Sequence, residues 1–99
     1  MGLAFQPAYS TGVTVTPDVT SASVTIGFTS ESLVFTNLGA TIVYVRVGTV
    51  GSGAPATTSG YPVLVGSQVS IGKDQDDNTV SFISPGGAGS LHIIQGIGL

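Results

Sequence analysis

The sequence has no cysteine and no tryptophan, and His92 is the single histidine among its 99 residues. Without cysteine there can be no disulfide framework, thiolate metal site or cysteine nucleophile. With one histidine, a two-histidine metal site would have to be completed by another subunit. His92 stands between Leu91 and Ile93, a setting typical of a structural or interfacial side chain. We therefore expect no metal and no cofactor.

Charge is also scarce. Arg46 and Lys73 are the only basic residues, and charged residues make up 7% of the chain, against a norm of about 25%. A net charge of −3 without a basic cluster gives neither the counterion release that drives nucleic-acid binding nor a patch for anionic lipid. No apolar run approaches the roughly 18 residues of a membrane helix, and the first residues lack a signal-peptide pattern. We expect a protein that is soluble in a cytoplasm when it is made and that binds neither nucleic acid nor membrane.

Most acidic residues lie in turn-like segments, where carboxylates are solvated rather than paired in a catalytic cleft. Residues 73–78 place oxygen ligands at alternate positions, Asp74, Asp76 and Asn78, as the start of a calcium loop does. The rest of an EF-hand is missing, because Thr79 and Pro85 occupy the positions of its glycine and its bidentate glutamate. We predict a solvated turn and leave calcium binding open. The chain as a whole predicts no enzyme.

The composition favours strands joined by turns. Valine, isoleucine and threonine number 32, glycine, serine and threonine number 39, and alanine, leucine, glutamate, lysine, glutamine, arginine and methionine together only 21. β-Branched side chains suit a pleated sheet, and glycine suits tight turns. Segments of period-two alternation, bounded by glycine, proline, asparagine or aspartate, indicate about eight strands. They are residues 13–16, 21–28, 32–37, 42–47, 62–65, 67–71, 79–84 and 90–95.

This pattern predicts an all-β, single-domain antiparallel β-sandwich of about eight short strands, jelly-roll-like, with a small β-barrel or an immunoglobulin-like sandwich as alternatives. The domain covers residues 13–99, and residues 1–12 form an N-terminal arm. Residues 32–37 and 42–47 are expected to pair as a β-hairpin through the turn at 37–40. The 14-residue loop 48–61 is long for a compact domain and is a candidate contact.

The outer faces of the predicted strands carry the candidate interface. A dissolved monomer usually covers its surface with about 25–35% charged residues, whereas the outward positions here are half apolar. We infer that a partner covers them, the alternative being a surface dressed with hydroxyl and amide groups. Arg46 could pair bidentately with a partner carboxylate, or could be a solubilising charge on an edge strand. The candidate residues are Tyr44, Arg46, His92 and Ile94 as an outward patch, with Leu3, Phe5 and Tyr9 on the arm. The arm could instead be a frayed terminus or an extra edge strand.

Three stretches together resemble a known class of proteins. They are T-N-L-G-A-T-I-V-Y-V-R-V-G at 36–48, Y-P-V-L-V-G-S-Q-V-S-I at 61–71 and G-A-G-S-L-H-I-I-Q-G-I-G at 87–98. Their order resembles small all-β virion proteins of tailed bacteriophages, of the capsid decoration or cement type. The resemblance spans roughly residues 20–99, and none of its motifs is catalytic.

The resemblance implies a non-enzymatic structural protein that is synthesised in a bacterial host cytoplasm and assembled on the outer surface of a phage capsid. Its partners would be the major capsid protein and further copies of itself, a trimer being favoured over a dimer. Bound at the seams between capsid subunits, it would stabilise the shell by adding buried contact area. A tail or fibre module that binds host glycans, and a head-completion or connector protein, remain alternatives.

Overall fold

The computed structural model describes residues 6–7, 9–26, 31–48, 60–72 and 78–97. In these ranges no helix is long and apolar enough to cross a membrane. The described residues form nine strands and one 3₁₀ turn, Tyr9–Thr11. The strands are β1 Gln6–Pro7, β2 Val13–Val15, β3 Ala22–Thr25, β4 Ser32–Asn37, β5 Val43–Gly48, β6 Tyr61–Val63, β7 Gln68–Gly72, β8 Thr79–Ile83 and β9 Leu91–Ile97.

The strands form two antiparallel sheets. Sheet 1 has the order β1–β9–β4–β7, and β2 also pairs with β9. Gln6 lies opposite Ile97 and Val13 lies opposite Ile93, so β1 and β2 share the same edge of β9 one after the other. Sheet 2 has the order β3–β8–β5–β6. Each sheet therefore has four strand positions.

The pairing is that of a jelly roll. β2 pairs with β9, β3 with β8, β4 with β7 and β5 with β6, all antiparallel. The chain is thus one long hairpin with its tip between β5 and β6, and successive pairs alternate between the two sheets. The predicted β-sandwich is confirmed, and this strand order is the jelly roll rather than a closed barrel or an immunoglobulin-like arrangement.

The predicted hairpin between residues 32–37 and 42–47 is wrong. β4 and β5 lie in different sheets, and residues 38–42 cross from one to the other. The physical reason is Asn37, whose buried side chain bonds to backbone of the crossing and of β6. A second crossing, between β6 and β7, turns at Gly66, whose φ of +73° favours glycine.

The core lies between the sheets and follows the predicted alternation. Leu33, Phe35, Val43, Leu91 and Ile93 are all fully buried. In β5 and β9 the buried residues alternate with Tyr44, Arg46, His92 and Ile94, which are exposed or half-buried on the outer faces of the sheets. Partly buried valines and isoleucines of the flanking strands pack against this cluster.

The described part of the predicted arm lies along its own sheet. Gln6 and Pro7 pair with Ile97 and Gly96, as an extra edge strand does. The Tyr9–Thr11 turn then interrupts the strand pairing with β9. The Thr11 hydroxyl still accepts a hydrogen bond from the N–H of Gln95 at 3.1 Å. Residues 1–5, the loop at 49–59 and the calcium-like turn at 73–77 lie outside the described residues.

Candidate interaction surfaces

One end of the sandwich is formed by four crossings between the sheets, residues 16–21, 38–42, 64–67 and 84–90; we call it the four-loop end. Asn37, which is 2% exposed, holds it together. Its Nδ2 donates to the carbonyl oxygens of Thr41 at 2.8 Å and Val63 at 2.9 Å, and its Oδ1 accepts from the N–H of Gly39 at 3.0 Å. One side chain therefore fixes the 38–42 crossing onto β6.

The other crossings at this end are tied by hydroxyl and backbone groups. The hydroxyls of Thr41 and Ser84 lie 2.6 Å apart, and Ser84 is fully buried. The N–H of Ser84 donates to the carbonyl oxygen of Asp18 at 2.9 Å, and the N–H of Gly89 donates to that of Pro17 at 2.8 Å. Satisfied polar groups of this kind give a loop a defined shape.

Exposed apolar side chains gather on the four-loop end. Leu38 is 60% exposed and Leu64 55%, and the other exposed members are Val19, Ile42 and Val65. Asp18 is the only charged residue in the four crossings. This surface was not predicted from the sequence. Apolar residues next to glycine and aspartate in turn segments are the sequence feature that indicates it.

An open groove of about 300 Å³ runs from this end onto the outer face of sheet 2. Tyr44 forms one side of it, and Thr41, Ile42, Pro85 and Gly86 form the rest. The groove offers apolar contact area with few polar groups. None of its lining side chains is a carboxylate, an imidazole or an amine, so it presents an anchor pocket rather than acid–base chemistry.

Tyr44 is the centre of an apolar row on the outer face of sheet 2. It lies opposite Ile83 on one side and Pro62 on the other. Arg46, two residues along β5, is exposed and lies opposite Ser81. β5 lies between β8 and β6, but its pairing with β6 ends at Val45 and Tyr61, so a solubilising role for Arg46 stays an alternative. Tyr44 and Arg46 thus form one neighbouring pair beside the groove.

His92 and Ile94 lie on the outer face of sheet 1, against residues of their own chain. The Nδ1 atom of His92 is 3.1 Å from the Thr14 hydroxyl. A Cβ atom at Gly12 would come within 3.1 Å of His92 Cε1 and 3.9 Å of Ile94 Cδ1. Both side chains are half-buried as a result. The turn before Gly12 presents Tyr9, which is 85% exposed.

The predicted outward patch is therefore divided between two faces. Tyr44 and Arg46 face away from sheet 2, whereas His92 and Ile94 face away from sheet 1, on the opposite side of the core. Tyr9 lies in the turn next to β9, and Leu3 and Phe5 of the arm lie outside the described residues. A partner role for each of these residues stays a prediction.

The polar groups within the described ranges are used for structure. No group of three or more metal-ligating side chains forms there, and each buried side-chain polar atom there has a hydrogen-bond partner. The arrangement supports binding through apolar contact and hydroxyl hydrogen bonds.

Comparison with known proteins relates the chain to others by fold. No protein-family model matches, and no curated protein matches. The structure is similar to PirA, with a TM-score of 0.60 and 11% identity over 86% of this chain and 93% of that chain. It is similar to a Bacillus endospore appendage protein that forms disulfide-linked pili, with a TM-score of 0.55 and 16% identity over 95% and 88%. Drosophila melanogaster CENP-C bound to CAL1 gives a TM-score of 0.51 and 11% identity over 89% and 67%.

Proposed function

We propose that the chain is a non-enzymatic structural virion protein, a capsid decoration or cement protein that binds the outer surface of a phage capsid as a homo-oligomer. The observation that carries the proposal is the apolar four-loop end on a chain with 7% charged residues. Several exposed apolar side chains at one end of a small protein indicate an interaction site. The resemblance of three stretches to decoration proteins names the partner class.

The four-loop end suits a seam between capsid subunits. Its loops are held by the buried Asn37 amide and the Thr41–Ser84 hydroxyl pair. Because the loops already have a fixed shape, little conformational entropy is lost when a partner binds them. Burying a leucine or valine side chain contributes about 1.5–3 kcal/mol. Contacts of this size, repeated over many copies, would add to the work needed to rupture the shell.

The groove beside Tyr44 supplies the specificity of the proposed contact. An aromatic ring at the rim of an apolar pocket is a frequent centre of binding energy in interfaces. Arg46 on the same face can pair with a carboxylate of the capsid protein. Lys73 is the only other basic residue of the chain. An ion pair between Arg46 and that carboxylate would therefore orient the protein on its partner.

A glycan-binding tail or fibre module is the second candidate. Tyr61 is 52% exposed at the end of the 48–61 loop, and exposed aromatic rings stack on sugars. Its position at the end of the sandwich away from the four-loop end separates the two candidates experimentally.

The test locates and counts the protein in particles. Virions of the phage that encodes the chain are purified, labelled with an antibody to it for electron microscopy, and quantified by mass spectrometry. We expect label over the whole head and many copies per particle. Absence from particles contradicts the proposal, label on tails favours the glycan-binding module, and a few copies at one vertex indicate a head-completion protein.

A further inference from the structure

Two sheet edges, β7 and β3, have neither charge nor proline in the part of the chain that the structure describes. β7 is the last strand of sheet 1, and its five residues, Gln68 to Gly72, include no charge and no proline. Natural proteins normally protect such an edge with charged residues, proline or a bulge. The opposite edge of sheet 1 contains Pro7 and the Tyr9–Thr11 turn, and β6 at an edge of sheet 2 contains Pro62.

The register shows which backbone groups of β7 point outward. The N–H of Asn37 donates to the carbonyl oxygen of Ser67 at 3.0 Å, across to the β7 side. The N–H of Leu38 donates to Ser90 at 2.9 Å, on the β9 side. Backbone groups of an antiparallel strand alternate between its two neighbours. Val69 and Ile71 therefore bond towards β4, and the N–H and C=O groups of Gln68, Ser70 and Gly72 face outward.

We propose that a second copy of this chain pairs with β7 in antiparallel orientation, about a two-fold axis at Ser70. Ser70 then lies opposite Ser70 of the other copy, and Gln68 lies opposite Gly72. The symmetry repeats the Gln68–Gly72 pair, which makes three pairs. Each pair forms two backbone hydrogen bonds, about six in total. A two-fold interface must be complementary to itself, and this one meets that condition in hydrogen bonding.

The side chains also match under this symmetry. Val69 and Ile71 are half-buried and face the core, and the axis sets Val69 of one copy opposite Ile71 of the other. Gln68 and Ser70 are exposed on the outer face in both copies. No like charges meet, because β7 has none. The two copies would form one continuous sheet with a shared apolar inner face.

The comparable edge of sheet 2 fits a second copy less well. In β3, the N–H of Ile26 donates to the carbonyl oxygen of Asn78 at 2.7 Å, which fixes Ser23 and Thr25 as the residues whose backbone groups face outward. The β3 edge therefore offers two outward residues where β7 offers three. A mixed pairing of β7 with β3 is head-to-tail and would build rings or filaments rather than a two-fold dimer.

This interface rests on the homo-oligomer part of the proposed function and gives a dimer as its unit, where the resemblance to decoration proteins favours a trimer. The test uses light scattering on a dilution series of the wild-type chain, Ser70→Lys, Ser70→Glu and their equimolar mixture. Like charges directly opposite each other on paired strands repel. We expect a wild-type dimer, a dissociation constant at least about tenfold higher for each variant alone, and dimers again in the mixture.

Ser23→Lys is the matched control, since Ser23 is an exposed serine at the β3 edge, and we expect it to leave the dimer unchanged. Circular dichroism checks that each variant is folded. A second measurement needs no variant: amide hydrogen exchange at Gln68, Ser70 and Gly72 should slow by at least about tenfold as wild-type concentration rises, while Ser23 and Thr25 do not change.

A wild-type oligomer that both Ser70 variants leave intact overturns the β7 interface but not the homo-oligomer. Dissociation by Ser23→Lys as well as by the Ser70 variants overturns the two-fold arrangement in favour of β7–β3 pairing. A wild-type chain that is monomeric at all concentrations overturns the interface and the homo-oligomer together. Capsid binding is scored separately on particles, so its failure is distinguishable from all three.

Discussion

The side-chain amide of Asn37 donates to the carbonyl oxygen of Val63 at 2.9 Å and so joins the last residue of β4, in sheet 1, to the last residue of β6, in sheet 2. Both groups are buried. A hydrogen bond between the sheets at this point sets where the four-loop end begins. It also makes that end sensitive to a single side chain.

Asn37→Ala should destabilise the fold by about 2–4 kcal/mol. The substitution leaves the carbonyl oxygens of Val63 and Thr41 and the N–H of Gly39 without their side-chain partner. Urea unfolding followed by circular dichroism measures the change. Ser23→Ala, at an exposed position, is the control and should change the free energy of unfolding by less than about 0.5 kcal/mol. A cost as small as that at position 37 would contradict the role assigned to the amide.

Asn37→Asp gives a pH-dependent version of the same test. The ionised carboxylate would face two carbonyl oxygens, which raises its pKa in the folded protein above the unfolded value. A group with a raised folded pKa loses stability as pH rises through that pKa. The variant should therefore be least stable at neutral pH and recover towards the wild type in acid; a difference from the wild type that does not vary with pH would contradict this.

Gly39→Ala should destabilise the protein by about 1–3 kcal/mol through overpacking. The added Cβ would lie 2.7 Å from the backbone nitrogen of Ser90, which cannot rotate away. Thermal unfolding measures the loss. Gly72→Ala is the matched control, since the nearest atom to its added Cβ is 4.0 Å away and its φ is not positive. Equal melting temperatures for the two variants would show that the close approach at Gly39 relaxes freely.

Leu38→Ser and Leu64→Ser should weaken binding to capsids without weakening the fold. Both side chains are more than half exposed, so their removal costs the isolated protein little, while each lost contact at an interface costs about 1–3 kcal/mol. Co-sedimentation with capsids stripped of the protein measures binding. Tyr61→Ser, a comparably exposed residue away from the four-loop end, should bind as the wild type does. A loss of capsid binding with Tyr61→Ser alone would put the contact at the opposite end of the sandwich and contradict the role assigned to the four-loop end.

Arg46→Ala should weaken assembly more than folding, because the guanidinium is exposed on the outer face of sheet 2. Arg46→Lys keeps the charge but not the bidentate geometry, and an intermediate effect is expected. Capsid co-sedimentation and thermal unfolding are compared for both variants. Equal losses of thermal stability and of assembly would contradict an interfacial role.

Much of the fold could be predicted from the sequence because period-two alternation reports burial directly. It placed Tyr44, Arg46, His92 and Ile94 outward, and the residues between each pair, Val45 and Ile93, are buried. It failed at Asn37, where the turn resembled a hairpin. The bond that decides the crossing reaches Val63, 26 residues away, and local pattern carries no information about such a partner.

The candidate surface was harder to predict for a related reason. Alternation assigned Tyr44, Arg46, His92 and Ile94 to outward positions but could not say which sheet each strand joins. The sheet assignment separates the two pairs. The apolar four-loop end combines residues from four crossings that are far apart in the chain, and it becomes visible only once those crossings meet.

The position of β9 has a consequence for how the protein is made. β9 lies between β4 and the β1–β2 edge of sheet 1. This position in the sheet cannot be filled until residues 91–97 have left the ribosome. Val13 pairs with Ile93, which lies far from it in the sequence. Contacts between residues so distant in sequence make folding slow. Sheet 1 therefore closes only after β9 has been made, and until then the nascent chain holds β2 and β4 without their shared neighbour.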